Sequence, residues 1–212
     1  MKQRTLISLP KDSLTFFEKR LYKDGVDLVA GIDEVGRGCI AGPVVAASVI
    51  LPKNCDIPKL NDSKQLTKKQ RDYFYNLITD IAVDWSIAFV DSLEIDRINI
   101  LRASLKAMLQ AVSQHKIKPQ FLLIDGLQKI DSELPQLALK KGDSRSLSIA
   151  AASVMAKVTR DKWMNNLDDL YPGFTFSTHK GYCTKAHIRE LAKYGVTPIH
   201  RKTFRPVALK CT

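Results

Sequence analysis

Two apolar runs that each break directly into acid constrain this chain more than any other feature. LVAGI (28–32) runs into Asp33-Glu34, and FLLI (121–124) runs into Asp125. Continuous apolar runs of this length, bounded by polar residues, read as buried strands. A third, VVAASVIL (44–51), follows the first across a glycine-rich turn and stops at Pro52. AVDWSIAFV (82–90) alternates as a half-buried strand does.

Helical spacing fills the intervals. Residues 12–24 read as a short helix with Asp12 or Ser13 as cap, Leu14, Phe17 and Leu21 on one face, and Gly25 as its stop. Thr67 caps a helix over 67–80 that turns Tyr73, Leu77 and Ile78 inward. Residues 92–115 read as one helix through Ile95, Ile98, Leu101, Leu105, Met108 and Val112. From Ser146 to Leu170 the pattern is helical, and Ala150, Ala151, Ala152 and Ala156 would let that helix lie close to a sheet. Residues 184–194 form a last amphipathic helix before a basic tail with two prolines. The expectation is a mixed α/β chain forming one domain over 1–212, with a core at about 28–170 and a basic helical region at 171–212.

At 212 residues and 45% hydrophobic, the chain is long enough to bury one core. No stretch approaches the ~20 apolar residues of a membrane span. The opening MKQRTLISLPKDSL lacks a signal peptide's apolar segment and cleavage site. Cys39, Cys55, Cys183 and Cys211 are scattered, which points to a reducing compartment. A soluble cytoplasmic protein, away from membranes, is expected. Cys183 and His187 with His179 nearby would be a zinc site only with a fourth ligand, for which there is no obvious source.

The net charge of +11 is uneven. From Tyr171 to Thr212 there are eight Lys or Arg against the single acid Glu190. Such a block attracts polyanions, although a merely solvated basic face has the same composition.

The acids carry the chemistry. Carboxylates at strand exits lie at the open edge of a sheet, where α/β folds bind ligands. Asp143, in KKGDSRS, lies just before the Ala-rich helix. Taken singly, Asp125-Gly126 is also a common turn pair and Asp143 a local cap. Adjacent Asp33 and Glu34 repel and need compensation. Divalent cations would serve all four, since Mg²⁺ and Mn²⁺ prefer carboxylate oxygens. Two such ions roughly 4 Å apart can activate water and stabilise a departing phosphodiester oxygen.

The turn at 36–41, GRGCIA, matches the pattern of dinucleotide sites, but Gly42-Pro43 and a Val-rich strand follow where that site needs a helix. A phosphate loop from Gly31 is excluded too, because Arg37 stands in place of Lys and no Ser or Thr follows. A glycine turn with exposed amides suits close approach to a sugar-phosphate backbone, including a 2′-hydroxyl.

The runs GIDEVGRGCIAGPVVAASVIL (31–51), NDSKQL (61–66), IDG (124–126), KGDSRSLSIAAASVMAKVTRD (141–161), HKGY (179–182) and HRKTF (200–204) together resemble bacterial ribonuclease HII from Leu28 to about Pro206. The resemblance implies a ribonuclease H-like fold, with a central mixed β-sheet flanked by helices and a C-terminal helical, basic region. It places the family's metal-binding and catalytic acids on Asp33, Glu34, Asp125 and Asp143. It places ribonucleotide contacts on Gly36, Arg37 and Gly38, phosphate contacts on Ser63 and Lys64, and the substrate tyrosine on Tyr182. Leu127 departs from the Asn that many members carry there. The third ribonuclease H type lacks the Gly-Arg-Gly turn and usually carries an extra N-terminal domain, so the second type fits better.

The resemblance implies an endonuclease that hydrolyses the RNA strand of RNA–DNA hybrids and cuts 5′ of single ribonucleotides in duplex DNA. Two Mg²⁺ or Mn²⁺ ions would serve it, leaving a 3′-hydroxyl and a 5′-phosphate. A monomer with no obligate protein partner is expected. A non-catalytic basic nucleic-acid-binding protein is the alternative, but it leaves the acids repelling phosphate without purpose. Other residues read plainly: Glu94, Asp96 and Asp161 as caps or surface pairs, His179 and His200 as core or backbone-bonded, and Trp85 and Trp163 as core. Lys157 and Arg160 flank the Ala-rich helix, within possible reach of phosphate.

Overall fold

The computed structural model describes residues 14–210. A first helix, α1 (Phe16–Lys23), leads into β1 (Val29–Val35) and β2 (Val44–Ile50). Next come α2 (Lys68–Ile81), β3 (Asp84–Val90), α3 (Ser92–Ile98) and α4 (Ile100–Ser113). Then follow β4 (Phe121–Asp125), β5 (Gln136–Leu139), a 3₁₀ turn (Gly142–Ser144) and α5 (Leu147–Asn165). Short helices α6 (Phe176–His179), α7 (Lys185–Tyr194) and α8 (Arg205–Ala208) close the described chain. No helix of the described residues is long and apolar enough to cross a membrane.

The five strands form one mixed sheet in the order β3-β2-β1-β4-β5. β1 pairs antiparallel with β2 and parallel with β4. All seven residues of β2 are buried, which explains its unbroken apolar run. Side chains alternate between the faces. Ala30, Ile32, Val44, Ala46 and Ile50 pack with α4 through Ala103, Ala107 and Met108. Ala47 and Val49 pack on the other face with Phe74 and Ile78 of α2 and with α5. There α5 nearly touches the sheet, since a Cβ on Gly31 would lie 2.0 Å from the Ser148 carbonyl carbon. The alanines of α5 are fully buried, as small residues at a close approach must be.

Several boundaries differ from the sequence reading, each for a physical reason. The expected helix over 92–115 is two helices, because Asn99 adopts φ 70° and caps α4 by accepting from the Arg102 amide. Asn tolerates that region of φ/ψ space better than most residues. Tyr73 is 62% exposed, not inward, and the buried stripe of α2 is Phe74 and Ile78. The Ala-rich helix ends at Asn165 and turns follow it. Strand β5 has no long apolar run and left no signal. Thr67 caps α2 as expected, in a reciprocal box with Gln70. Gly25 ends α1 at φ 83°, whereas the proposed Asp12 or Ser13 cap lies outside the described residues.

Candidate active site

The sheet register brings the acids together. Ile32 of β1 pairs with Ile124 of β4, so Asp33, inside β1, and Asp125, the last residue of β4, lie at one level on neighbouring parallel strands. Both follow the parity that faces α5, and the 3₁₀ turn before that helix supplies Asp143. One oxygen from each of Asp33, Asp125 and Asp143 lies within 4.8 Å of the others. Asp33 and Asp143 are buried and Asp125 is half-buried. Glu34 has the opposite parity and is not part of this triad. Its Oε1 pairs with Arg37 at 3.0 Å, and its Oε2 is buried without a hydrogen-bond partner.

Backbone amides and short polar contacts hold the carboxylates. The Glu34 amide donates to Asp33 Oδ1 at 2.7 Å, and the Gly142 amide donates to Asp125 Oδ1 at 2.6 Å. Ser153 of α5 meets Ser63 hydroxyl to hydroxyl at 2.9 Å. Lys64 reaches Asp143 at 3.6 Å and Asp62 at 3.7 Å while its side chain stays exposed. Burial, then the charges of Glu34 and Asp125, push Asp33 well above the ordinary carboxyl range. Burial likewise raises Asp143, helped by Asp125 and Asp62. It raises Glu34 against the pull of Arg37. A cluster that resists its own ionisation, with one orphaned oxygen beside it, matches what a hard divalent cation would neutralise.

The glycine turn lies next to this edge. Gly36 takes φ 95°, and a Cβ there would come 2.4 Å from Arg160 Nε. Gly38 is exposed, and a Cβ on it would meet nothing within 4 Å, so only an incoming ligand would crowd that position. No helix opens at these glycines, because the chain passes through Gly42-Pro43 into β2. The loop carrying Tyr182 is fastened to the turn. The amides of Ile40 and Ala41 both donate to the Gly181 carbonyl, and Cys39 bridges Tyr182. Tyr182 is 38% exposed, with Lys157 Nζ 5.6 Å from its ring centroid.

Beneath this surface are Arg160 and Arg201, both fully buried. Arg160 donates to the carbonyls of Pro43, Lys180 and Ala41. Arg201 donates to those of Gly42 and Arg37. No acid of the described residues forms an ion pair with either. Three histidines complete the scaffold. The Thr197 amide donates to His200 Nδ1, so His200 Nε2 carries a proton for His187 Nε2 at 3.0 Å. His187 in turn donates from Nδ1 to the Tyr182 carbonyl. His179 accepts from the Gly181 amide and donates to Glu190.

The site residues expected from the sequence are thus distributed as follows. Asp33, Asp125 and Asp143 converge, while Glu34 lies beside them facing Arg37. Arg37, Gly38 and Tyr182 are exposed on two loops joined through Cys39, while Gly36 is buried at the base of the turn. Ser63 turns inward to Ser153, leaving Lys64 as the exposed member of its pair. The conceivable zinc site is ruled out, since His179 and His187 spend both ring nitrogens on hydrogen bonds and Cys183 is exposed. Glu94 pairs with Arg97 and Lys106, Asp161 pairs with Lys157, and Asp96 caps Lys202 and Thr203. Ser153, Arg160 as a scaffold, and Arg201 were not singled out by sequence. A chain of Ser48, His115 and Asp84 has triad-like spacing at 2.8 and 3.1 Å, but Ser48 is fully buried in β2, where no substrate reaches it.

Comparison with known proteins agrees with this geometry. The family model for ribonuclease HII matches residues 30–207. A ribonuclease HII of Enterococcus faecalis is 53% identical over 191 residues, spanning 90% of this chain and 74% of the relative. One from Caldanaerobacter subterraneus subsp. tengcongensis is 49% identical over 199 residues, spanning 94% and 83%. Among solved structures, ribonuclease H2 of Pyrococcus horikoshii superposes with a TM-score of 0.71 at 27% identity, covering 86% of this chain and 96% of that one.

Proposed function

The chain belongs to the ribonuclease HII family, and on that premise we propose that Asp33, Glu34, Asp125 and Asp143 hold divalent cations against the phosphodiester 5′ of a ribonucleotide in duplex nucleic acid. The protein is a ribonuclease H endonuclease acting on RNA–DNA hybrids, and divalent metal is the cofactor class its family and acidic cluster share. The observation that carries the site assignment is the approach of three carboxylates from three separate segments to within 4.8 Å. Mg²⁺ and Mn²⁺ both suit such oxygens, and a bound pair supplies an activated water and stabilises the departing 3′-oxygen.

The chain's own residues orient the substrate. The turn of Gly36, Arg37 and Gly38, exposed at Arg37 and Gly38, tests for a 2′-hydroxyl, which deoxyribose lacks. Tyr182 packs against the sugar beyond the ribonucleotide, and Lys64 and Lys157 face the backbone phosphates. The unneutralised charges of Arg160 and Arg201 add attraction for phosphate from below. Residues 171–212 belong to the same domain and extend the basic surface along the duplex. The protein works as a monomer on hybrids and on ribonucleotide-containing DNA, in the cytoplasm, and needs no protein partner. A non-catalytic binding role is not favoured, because it supplies nothing that neutralises the clustered carboxylates.

The test is cleavage of duplex DNA carrying one ribonucleotide, with Mg²⁺, with Mn²⁺ and with EDTA, beside an all-DNA control. The expected result is a single cut on the 5′ side of the ribonucleotide with either metal and none with EDTA. Cutting that persists in EDTA, or equal cutting of the all-DNA duplex, overturns the reading.

A further inference from the structure

Glu18 lies before the matched segment that begins at residue 30, yet it is only 3% exposed. Its Oε1 accepts from the Ser146 hydroxyl at 2.6 Å and from the Ser148 amide at 3.0 Å. Leu14, just ahead of α1, accepts the Leu147 amide on its carbonyl at 2.7 Å. The first amides of a helix have no partner within it. At the start of α5, those of Leu147 and Ser148 are satisfied by the α1 segment, and that of Ile149 by Ser146 Oγ. Glu18 also fixes that serine, whose hydroxyl donates to Glu18 while accepting from Ile149. Phe17 packs beside Ile149 and Leu123, with the Arg145 guanidinium 5.3 Å from its ring centroid.

The same helix start carries the carboxylates. The Ser146 amide donates to the Gly142 carbonyl at 2.8 Å, and the Gly142 amide donates to Asp125 Oδ1. Asp143 is the next residue, on a turn held between α5 and Asp125. A displacement of the first turn of α5 therefore reaches Asp125 through the Gly142 amide and Asp143 through the turn that carries it. Glu18 Oε2 is buried without a partner and faces a cavity of about 10 Å³ shared with Tyr22, Asn54, Cys55 and Ser148, room for a single water.

We infer that Glu18 is a positioning residue of the metal centre, clamping the start of α5 so that Asp143 and Asp125 hold their spacing. The inference rests on the carboxylate reading above and gives α1 a role that lies outside the matched family segment. Burial raises the Glu18 carboxyl, and an amide at this position keeps an oxygen that can accept from Ser146 and Ser148.

The experiment measures Mn²⁺ binding to the full-length resting protein by electron paramagnetic resonance, together with the metal dependence of cleavage. Glu18→Leu is expected to weaken Mn²⁺ binding about tenfold, the lower end for loss of a contact that orients metal ligands. The metal concentration for half-maximal cleavage should rise in step, while KM for the nucleic acid holds within about twofold. Glu18→Gln should restore wild-type metal affinity. Wild-type Mn²⁺ affinity in a folded Glu18→Leu protein overturns the inference and leaves the carboxylate reading intact. Absence of Mn²⁺ binding in the unsubstituted protein overturns both. If Glu18→Leu does not fold, Glu18→Asp, too short to reach both serines, is held to the same outcomes.

Discussion

Where β1 and β4 run side by side, Asp33, Asp125 and Asp143 face one another with the exposed Lys64 reaching Asp143, and burial plus mutual repulsion hold Asp33 and Asp143 toward neutrality. On the far side of the glycine turn, Arg160 and Arg201 are buried just as deeply and lack ion pairs, yet each has its guanidinium donors on backbone carbonyls. One region stores unbalanced like charge, and the other spreads its charge over fixed dipoles. The first arrangement is poor for stability and fit for binding cations. The second fixes the surface of the glycine turn and the Tyr182 loop, which we propose meets the sugar.

The largest expected effect comes from breaking the first arrangement. Asp33→Asn keeps an oxygen for the Glu34 amide and removes the charge that Glu34 and Asp125 oppose. Cleavage at saturating Mg²⁺ should fall at least about a thousandfold, several kcal/mol of barrier. Without metal, the same protein should be more stable than wild type by roughly 1 kcal/mol, read as a higher urea midpoint. A variant that cleaves poorly because it has lost stability would erase the contrast between the two regions.

The second effect sharpens the contrast from the other side. Arg201→Leu strands the carbonyls of Gly42 and Arg37 in a buried place. Its cost should be about 3–5 kcal/mol in urea unfolding, the range for removing one member of a buried polar network. Arg201→Lys keeps a charge but not the fork, and should recover only part of it. Unchanged stability would mean that the buried guanidinium is not what holds the turn.

How much of this was legible in the sequence follows the same division. The acids were legible because an apolar run that gives way to Asp is a local pattern, although β1 continues through Asp33 and Glu34 to Val35 while β4 ends at Asp125. That Glu34 would face away from the triad was also within reach, since alternation along a strand sends neighbours to opposite faces. The scaffold was not legible. Arg201 spends its donors on carbonyls at Arg37 and Gly42, more than 150 positions away, and a backbone carbonyl has no signature in the sequence. For the same reason Glu18 was not singled out, with its partners more than 120 positions away. Asn99 was hidden inside a good helical spacing, because periodicity records faces and not caps. Tyr73 was placed inward on apolar character alone, one position from the residue that is buried.

The smallest effect concerns acid, and here the two regions have opposite signs. Burial lowers His187 and His200 to about 4 from the usual 6.5. Both rings are already committed. A second proton on His187 would set an N–H against the His200 Nε2–H 3.0 Å away, and one on His200 Nδ1 would face the Thr197 amide. A depressed folded pKa leaves stability whole above 6.5 and removes it as pH falls toward about 4, on the order of 3 kcal/mol per histidine at most. Asp33 works the other way without metal, because a raised folded pKa means the folded state takes up the proton first and gains as pH falls. Metal-free Asp33→Asn removes that opposing contribution, while Asp143, Glu34 and Glu18 keep theirs, so the histidine part is read from the difference in acid slope between this variant and one that also changes a histidine. Adding His200→Gln should flatten that slope, since the remaining His187 no longer meets a fixed proton. If the double variant loses stability as steeply as Asp33→Asn alone, the acid sensitivity lies outside the tyrosine scaffold, and the regions differ in charge but not in response to pH.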